Sequence, residues 1–246
     1  MRHALLSPSS SGIWLKCPAN PQYSQKGEYK VGIPAATGTL IHQMAEMKQK
    51  GNLENTTLED YWLGKVEKVE DFEITVDREM ILCAETYVDY VAERVKDLDG
   101  KLLVEEQVSL EEISSSCWGT ADALILSKQR IAVIDLKSGK WPVDVKNNTQ
   151  LMIYALGALS RYGNEDTTME ITIVQPRAWH RDGPIRTWDI SAVDLVDWAY
   201  QTLQPACELA EEETPQEILG DHCRFCNGKS MCVAYNEKGE EDVSNK

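Results

Sequence analysis

The sequence predicts an α/β protein in which helices flank a central mixed β-sheet. Three observations carry this prediction. Segments of helical period alternate in blocks with strand-like runs, in the order helix, three strands, helix, then further strands. Two of those runs, Ala121–Leu126 (ADALIL) and Ile131–Leu136 (IAVIDL), are separated only by Ser127-Lys128-Gln129-Arg130, short enough for a hairpin turn. No internal repeat or Gly/Ser linker divides the chain, so one folded unit spanning residues 1–246 is the simplest organisation.

The elements follow in order. After a Ser-rich start, apolar residues recur at helical spacing over about Ala36–Lys50 and again over about Asp77–Leu98. Strands are expected at Leu102–Leu110, Gly119–Leu126 and Ile131–Lys137, then a helix over about Val145–Tyr162. Strands near Glu170–Gln175 and Ile185–Ile190 and a helix from Ala192 to about Glu213 complete the fold, and 236–246 reads as a disordered tail.

Composition sets the frame. With 42% hydrophobic and 26% charged residues the chain can bury an ordinary core. No window approaches the roughly 20 apolar residues of a membrane span, and no long apolar signal segment opens the sequence. A cytoplasmic, non-membrane protein is expected. The seven cysteines are an odd number in a sizeable chain, which favours metal ligation or burial over a disulfide framework. A net charge of −15 disfavours broad attraction to nucleic acid, so any contact with DNA must use a local basic strip. Candidates are Lys128, Arg130, Lys137, Lys140 and Lys146, and a second group of Arg161, Arg177, Arg181 and Arg186 with Trp179 and His180 among them.

Asp122 and the Asp135-Leu136-Lys137 step put charges where a buried sheet should be apolar. Strand residues alternate faces, so Asp135 and Lys137 project together while Leu136 points into a hydrophobic layer and keeps its carbonyl near them. Strand pairing brings Asp122 close to Asp135. Buried carboxylates are costly unless paired; either a salt bridge to Lys137 or a divalent cation on their oxygens relieves the cost. Gln150 and Tyr154 are four apart on the following helix and share a face that can look onto these carboxylates. His42 lies one turn before Glu46 in the early helix, and an imidazole ligand there would favour Mn²⁺ over Mg²⁺.

Cys223, Cys226 and Cys232 fall within ten residues, and Cys17 is the natural fourth ligand for zinc or an iron–sulfur cluster; His222 keeps the zinc alternative open. Such a site would clamp the chain ends together. Cys83, Cys117 and Cys207 sit in apolar or helical contexts and read as buried hydrophobes.

Taken in order, these motifs resemble the RecB-like branch of the PD-(D/E)XK nucleases, which includes the AddB nuclease domain and the CRISPR-associated RecB-like exonucleases. His42 resembles the branch's motif-one histidine, Gly119-Thr120-Ala121-Asp122 its first metal-binding aspartate, and Asp135-Leu136-Lys137 its D/E-x-K core. Gln150 and Tyr154 are similar to its Q-x-x-x-Y motif, and Cys17 with Cys223, Cys226 and Cys232 to its split [4Fe–4S] arrangement. The lead into Cys17-Pro18, LSPSSSGIWLKCP, is similar to the entry segment of these iron–sulfur nucleases.

The resemblance implies a restriction-endonuclease-like core over 36–213, with cluster-binding segments at 1–35 and 214–235. It also implies hydrolysis of DNA with Mn²⁺ or Mg²⁺ bound by His42, Asp122, Asp135 and the Leu136 carbonyl. Lys137 would orient the attacking water or stabilise transition-state charge, with Gln150 and Tyr154 positioning the phosphate or the lysine. Glu105 and Glu106 are further candidates, of which alternation lets only one face the site. An exonuclease on single-stranded DNA or DNA ends is implied, working in recombination, repair or phage DNA processing, in a bacterial or phage-infected cell. No Walker loop is present, so a helicase or recombination protein would be a separate partner. A non-cutting DNA-binding accessory protein and a zinc-stapled interaction protein are the alternatives.

Overall fold

A computed structural model describes residues 4–27, 31–53 and 55–238. After a 3₁₀ turn at Pro8–Ser10 come α1 (Ser11–Trp14), α2 (Asn20–Lys26), α3 (Ile33–Gln49) and α4 (Leu58–Trp62). A small antiparallel hairpin, β1 (Val66–Val69) and β2 (Phe72–Thr75), leads into α5 (Arg78–Leu98). The main sheet contains β3 (Lys101–Leu110), β4 (Ser114–Leu126), β5 (Arg130–Leu136), β6 (Thr168–Val174) and β7 (Ile185–Ser191), with α6 (Thr149–Tyr162) crossing between β5 and β6. The chain continues through α7 (Ala192–Trp198), α8 (Gln204–Ala210) and α9 (Val233–Lys238). The five strands stand in chain order, with β5 parallel to β6 and every other pair antiparallel. This is the central mixed sheet flanked by helices that the sequence predicted.

Both faces of the sheet are buried. On one, Leu124, Val133 and Ile171 pack with Leu151, Ala155 and Leu159 of α6 and with Leu195 and Leu203. On the other, Ile125, Ile134 and Leu136 pack with Leu40, Ile41 and Met44 of α3 and with Tyr87 and Val91 of α5. Each such aliphatic side chain contributes about 1.5–3 kcal/mol by leaving water, so the two layers fix the sheet against both helix pairs.

The two-residue alternation fails at one level of the sheet. In β3, Leu103 and Val108 are five apart yet face the same core, and in β4, Ala121 and Leu124 are three apart and do likewise. Between them Glu105 adopts a φ of 55°, opposite Asp122, within the register set by Val104↔Ala123 and Glu106↔Ala121. Strands that kept strict alternation would send residues an odd number apart to opposite faces. The switch therefore falls where the two carboxylates oppose each other.

Several expected boundaries move for local reasons. The helix expected from Val145 begins at Thr149, because the Asn148 side chain caps it by accepting from the Leu151 amide at 3.2 Å and Asn147 stands at φ 59°. The helix expected over 192–213 is interrupted by a wide turn at Ala199–Leu203 and ends at Ala210. Pro205, just beyond that turn, has no amide to give to the preceding turn and its ring crowds the carbonyl there. Strand β4 begins at Ser114 rather than Gly119, and α4 and the β1–β2 hairpin were not expected. Helix α9 takes in the start of the expected tail, whose residues 239–246 lie outside the described residues. Among the described residues no helix is long and apolar enough to cross a membrane.

Candidate functional site

Strands β4 and β5, the residue after β5, and helices α3 and α6 bring seven of the sequence-selected residues together. The Oδ2 atom of Asp122 accepts the Leu136 amide at 2.8 Å and stands 3.5 Å from Nδ1 of His42. Next to it, buried Asp135 Oδ2 forms a salt bridge to Nζ of Lys137 at 2.8 Å. Lys137 also donates to Oε1 of Gln150 at 2.7 Å. The Gln150 amide donates to Asp135 Oδ1 and to the Tyr154 hydroxyl, both at 3.3 Å. Helical spacing thus places Gln150 and Tyr154 over the strand that carries Asp135 and Lys137. Gly119 makes room for this: a Cβ there would lie 3.0 Å from the Tyr154 ring and 2.9 Å from Pro8.

The charges are unequally settled. Burial pushes both aspartates up, but the His42 imidazole, the Leu136 amide and Lys137 hold Asp122 below the usual carboxylate range. At Asp135, burial and the neighbouring Asp122 charge outweigh Lys137 and hold its carboxyl above that range. Burial lowers His42, yet Asp122, and Asp135 behind it, push it up to about 9. Two like charges in one buried place commonly divide in this way. Burial also keeps the Tyr154 phenol protonated, while its hydrogen bond from Gln150 works the other way.

Glu105 and Glu106 lie in different surroundings. Glu106 accepts from Arg161 at 2.7 Å and Tyr162 at 2.6 Å on α6, away from the aspartates. Glu105, turned by its positive φ, feels Asp122, Glu46 and His42, and burial followed by those two acids pushes it up to about 7. Glu46 itself is held by Lys50 at 2.6 Å. One nearby group escaped sequence reasoning: the Tyr87 hydroxyl of α5 is buried without a hydrogen-bond partner, and burial and the charges of Asp122 and Asp135 push its pKa well up. An apolar-face tyrosine in an amphipathic helix gives no sign of such a setting.

Of the basic residues, most are taken. Arg130 binds Glu170 and Asp189, Arg186 binds Gln175, and Arg177 lies on Glu79. Lys128 sits in the turn between β4 and β5, at the other end of the sheet from Asp135. Lys140, Lys146 and Arg181 stay exposed.

Cys17, Cys223, Cys226 and Cys232 line one small cavity with Asn20, His222 and Tyr235. Three of the sulfurs receive N–H donors: Cys17 from the Ile218 amide at 3.4 Å, Cys226 from the Asn20 side chain at 3.1 Å, and Cys232 from the Tyr235 amide at 3.4 Å. Such donors suit thiolate ligands. The cavity is small, about 20 Å³. His222 places Nε2 2.9 Å from the Ile218 carbonyl, leaving Nδ1 as its other nitrogen. Cys83, Cys117 and Cys207 are buried, as expected of packing residues. Among the described residues, no three His, Cys, Asp or Glu side chains stand as a ready-made metal cage, so binding at either site would require side chains to close.

The fold and site define a mixed α/β protein with a buried carboxylate–histidine–lysine cluster at one level of its sheet. The chain belongs to the family described as protein of unknown function (DUF2800), whose model matches residues 3–244. Two solved structures are distantly similar. One is described as the crystal structure of SSO0001, with 12% identity, 93% of this chain and 85% of that chain covered, and a TM-score of 0.39. The other is the crystal structure of LHK-Exo in complex with dAMP, with 10% identity, coverage of 84% and 87%, and a TM-score of 0.39.

Proposed function

We propose that this chain is a metal-dependent nuclease of the PD-(D/E)XK type, hydrolysing phosphodiester bonds in DNA, with exonuclease action at single strands or ends as its main mode. The observation that carries the reading is the buried Asp135 carboxylate, in a salt bridge to Lys137 and set beside a second carboxylate and an imidazole. Two buried carboxylates side by side are expensive, and a divalent cation bridging their oxygens would offset that cost beyond what Lys137 supplies at 2.8 Å. His42, Asp122, Asp135 and the Leu136 carbonyl would hold Mn²⁺ or Mg²⁺, with Glu105 as a further oxygen donor. When bound, the ion would polarise the phosphate and bring the pKa of a water towards neutrality.

The chain's own groups do the rest. Gln150 holds the Lys137 ammonium by its Oε1 atom. From there Lys137 can orient the attacking water or stabilise charge gathering on the phosphate oxygens. Tyr154, kept protonated, offers a hydroxyl to the same amide and fixes its orientation. The leaving oxygen must gain a proton; a water or the Lys137 ammonium can supply it.

The terminal cysteines form a separate structural metal site in this reading. Cys17, Cys223, Cys226 and Cys232 would bind a [4Fe–4S] cluster, with zinc as the alternative. Anaerobically purified protein should be brown and absorb near ~400 nm; a colourless protein with stoichiometric zinc would replace the cluster with zinc. For the nuclease reading, Asp135→Ala and Lys137→Ala should abolish Mn²⁺-dependent cleavage of end-labelled single-stranded DNA while circular dichroism stays unchanged. Undiminished cleavage by both purified variants would overturn it. A circular substrate separates exonuclease from endonuclease action. A helicase or recombination protein is the expected partner in recombination, repair or phage DNA processing.

A further inference from the structure

Trp141 and Trp179 are 82% and 83% exposed, more than any other large apolar side chain among the described residues. A tryptophan left in water forgoes one of the largest burial gains available to a side chain, and these two sit beside a well-filled core. Their loops follow β5 and β6, which run parallel, so both leave the sheet at the end where Asp135 and Lys137 lie.

The backbone presenting the rings is firmly built. Gln175, 1% exposed, donates to the carbonyls of Gly139 at 3.0 Å and Trp141 at 2.7 Å, and accepts from the Val143 amide at 3.0 Å and from Arg186 at 2.7 Å. Arg177 donates to the Ser138 carbonyl at 3.2 Å, and His180, next to Trp179, lies 3.3 Å from Asp144 of the other loop. The two loops are therefore stitched into one double loop with its tryptophans outward. Lys140, Lys146 and Arg181 are exposed on the same loops. Lys140 has only a 3.5 Å contact with Glu79, and Arg181 only a 3.4 Å contact with Asp182; surface pairs of this kind give way readily to a phosphate.

From this juxtaposition we infer that Trp141 and Trp179 form a stacking platform for unpaired bases of single-stranded DNA, feeding the strand towards Lys137. The inference rests on the reading of this chain as a DNA-acting protein. Each ring offers a face to any base, and the three cations follow the backbone. Asp144, Asp182 and Glu79 on or beside the loops weaken the pull on phosphates, so recognition leans on stacking, which a duplex with its bases paired inside does not offer. The site is thereby selective for unpaired strands rather than for sequence.

The test uses full-length protein with metal chelated, so that binding is read without cutting, and a fluorescein-labelled 20-mer of thymidylate as probe. Trp141→Ala and Trp179→Ala should each weaken binding about 5- to 100-fold by fluorescence anisotropy. The phenylalanine variants should recover most of it, and weak binding to a blunt duplex should be unchanged. Both rings are exposed, so urea midpoints should match wild type. Wild-type-like affinity in both alanine variants, an equal loss on the duplex, or no binding of the probe by wild-type protein would each overturn the inference. If wild type cleaves with Mn²⁺ while the tryptophan variants bind normally, stacking fails and the nuclease reading stands. If the variants lose binding and no metal supports cleavage, stacking stands and the nuclease reading fails.

Discussion

Two buried carboxylate sites share one sheet and are solved in opposite ways. Towards the start of β6, Glu170 is 1% exposed and fully engaged. Arg94 grips both of its oxygens from α5, and Arg130 adds a contact at 3.1 Å before passing on to Asp189 at 2.6 Å. Towards the end of β5, Asp135 is 2% exposed, has a second aspartate beside it, and shares its cation, Lys137, with Gln150. Charge at Glu170 is neutralised within the protein. Charge at Asp135 is met by Lys137 and shares its place with Asp122, an asymmetry that the proposed function puts to use.

The comparison can be broken most directly by exchanging the consequences. Asp135→Ala should abolish cleavage, a loss of at least roughly 10³-fold in rate, with unfolding by urea little changed. Glu170→Gln should do the reverse, costing about 1–3 kcal/mol of stability by removing the charge that Arg94 and Arg130 share, while the folded fraction keeps its activity. Loss of activity with intact stability at Glu170, or the opposite at Asp135, would show that the two sites had been assigned the wrong way round. A smaller effect is expected at Gln150, which touches both Asp135 and Lys137. Gln150→Ala should lower Mn²⁺ affinity or cleavage about 10- to 100-fold, measured by metal titration of the rate.

The smallest effect concerns pH. Glu105 titrates at about 7 in the folded protein, against 4.5 for an ordinary glutamate, so the folded state keeps its proton longer. Metal-free protein should therefore lose stability as pH rises from about 4.5 through 7. His42, held up to about 9 from 6.5, contributes stability fully below 6.5 that is lost as pH rises through 9. In Glu105→Gln the lower of these two slopes should shrink, Asp135 keeping a part of it, and the upper remain, as read from urea midpoints at a series of pH values. An unaltered lower slope would remove Glu105 from the site.

Much of this arrangement was legible because it obeys simple periods. Asp135 and Lys137 are two apart on a strand, and Gln150 and Tyr154 four apart on a helix, so their shared faces could be read directly. Glu105 could not be selected over Glu106 for the same reason: its positive φ breaks the period on which the choice depended. The hairpin β1–β2 escaped notice because VEKV and FEIT carry charges on short strands that read as surface. The helix start at Thr149 was missed because the apolar spacing runs on through Val145, while the Asn148 cap decides the boundary. Trp179 was visible among cations, but the match of Trp141 to it depends on β5 and β6 being parallel, a long-range fact.

One contact reaches further than its size suggests. Ser11 and Thr149 share a hydroxyl hydrogen bond of 2.6 Å across 138 positions of sequence, joining the segment that leads to Cys17 to the first turn of α6, one residue before Gln150. Local opening of that segment releases the very turn that steadies Lys137. Amide exchange at Gln150 and Leu151 should then keep pace with exchange around Ser11 and Trp14.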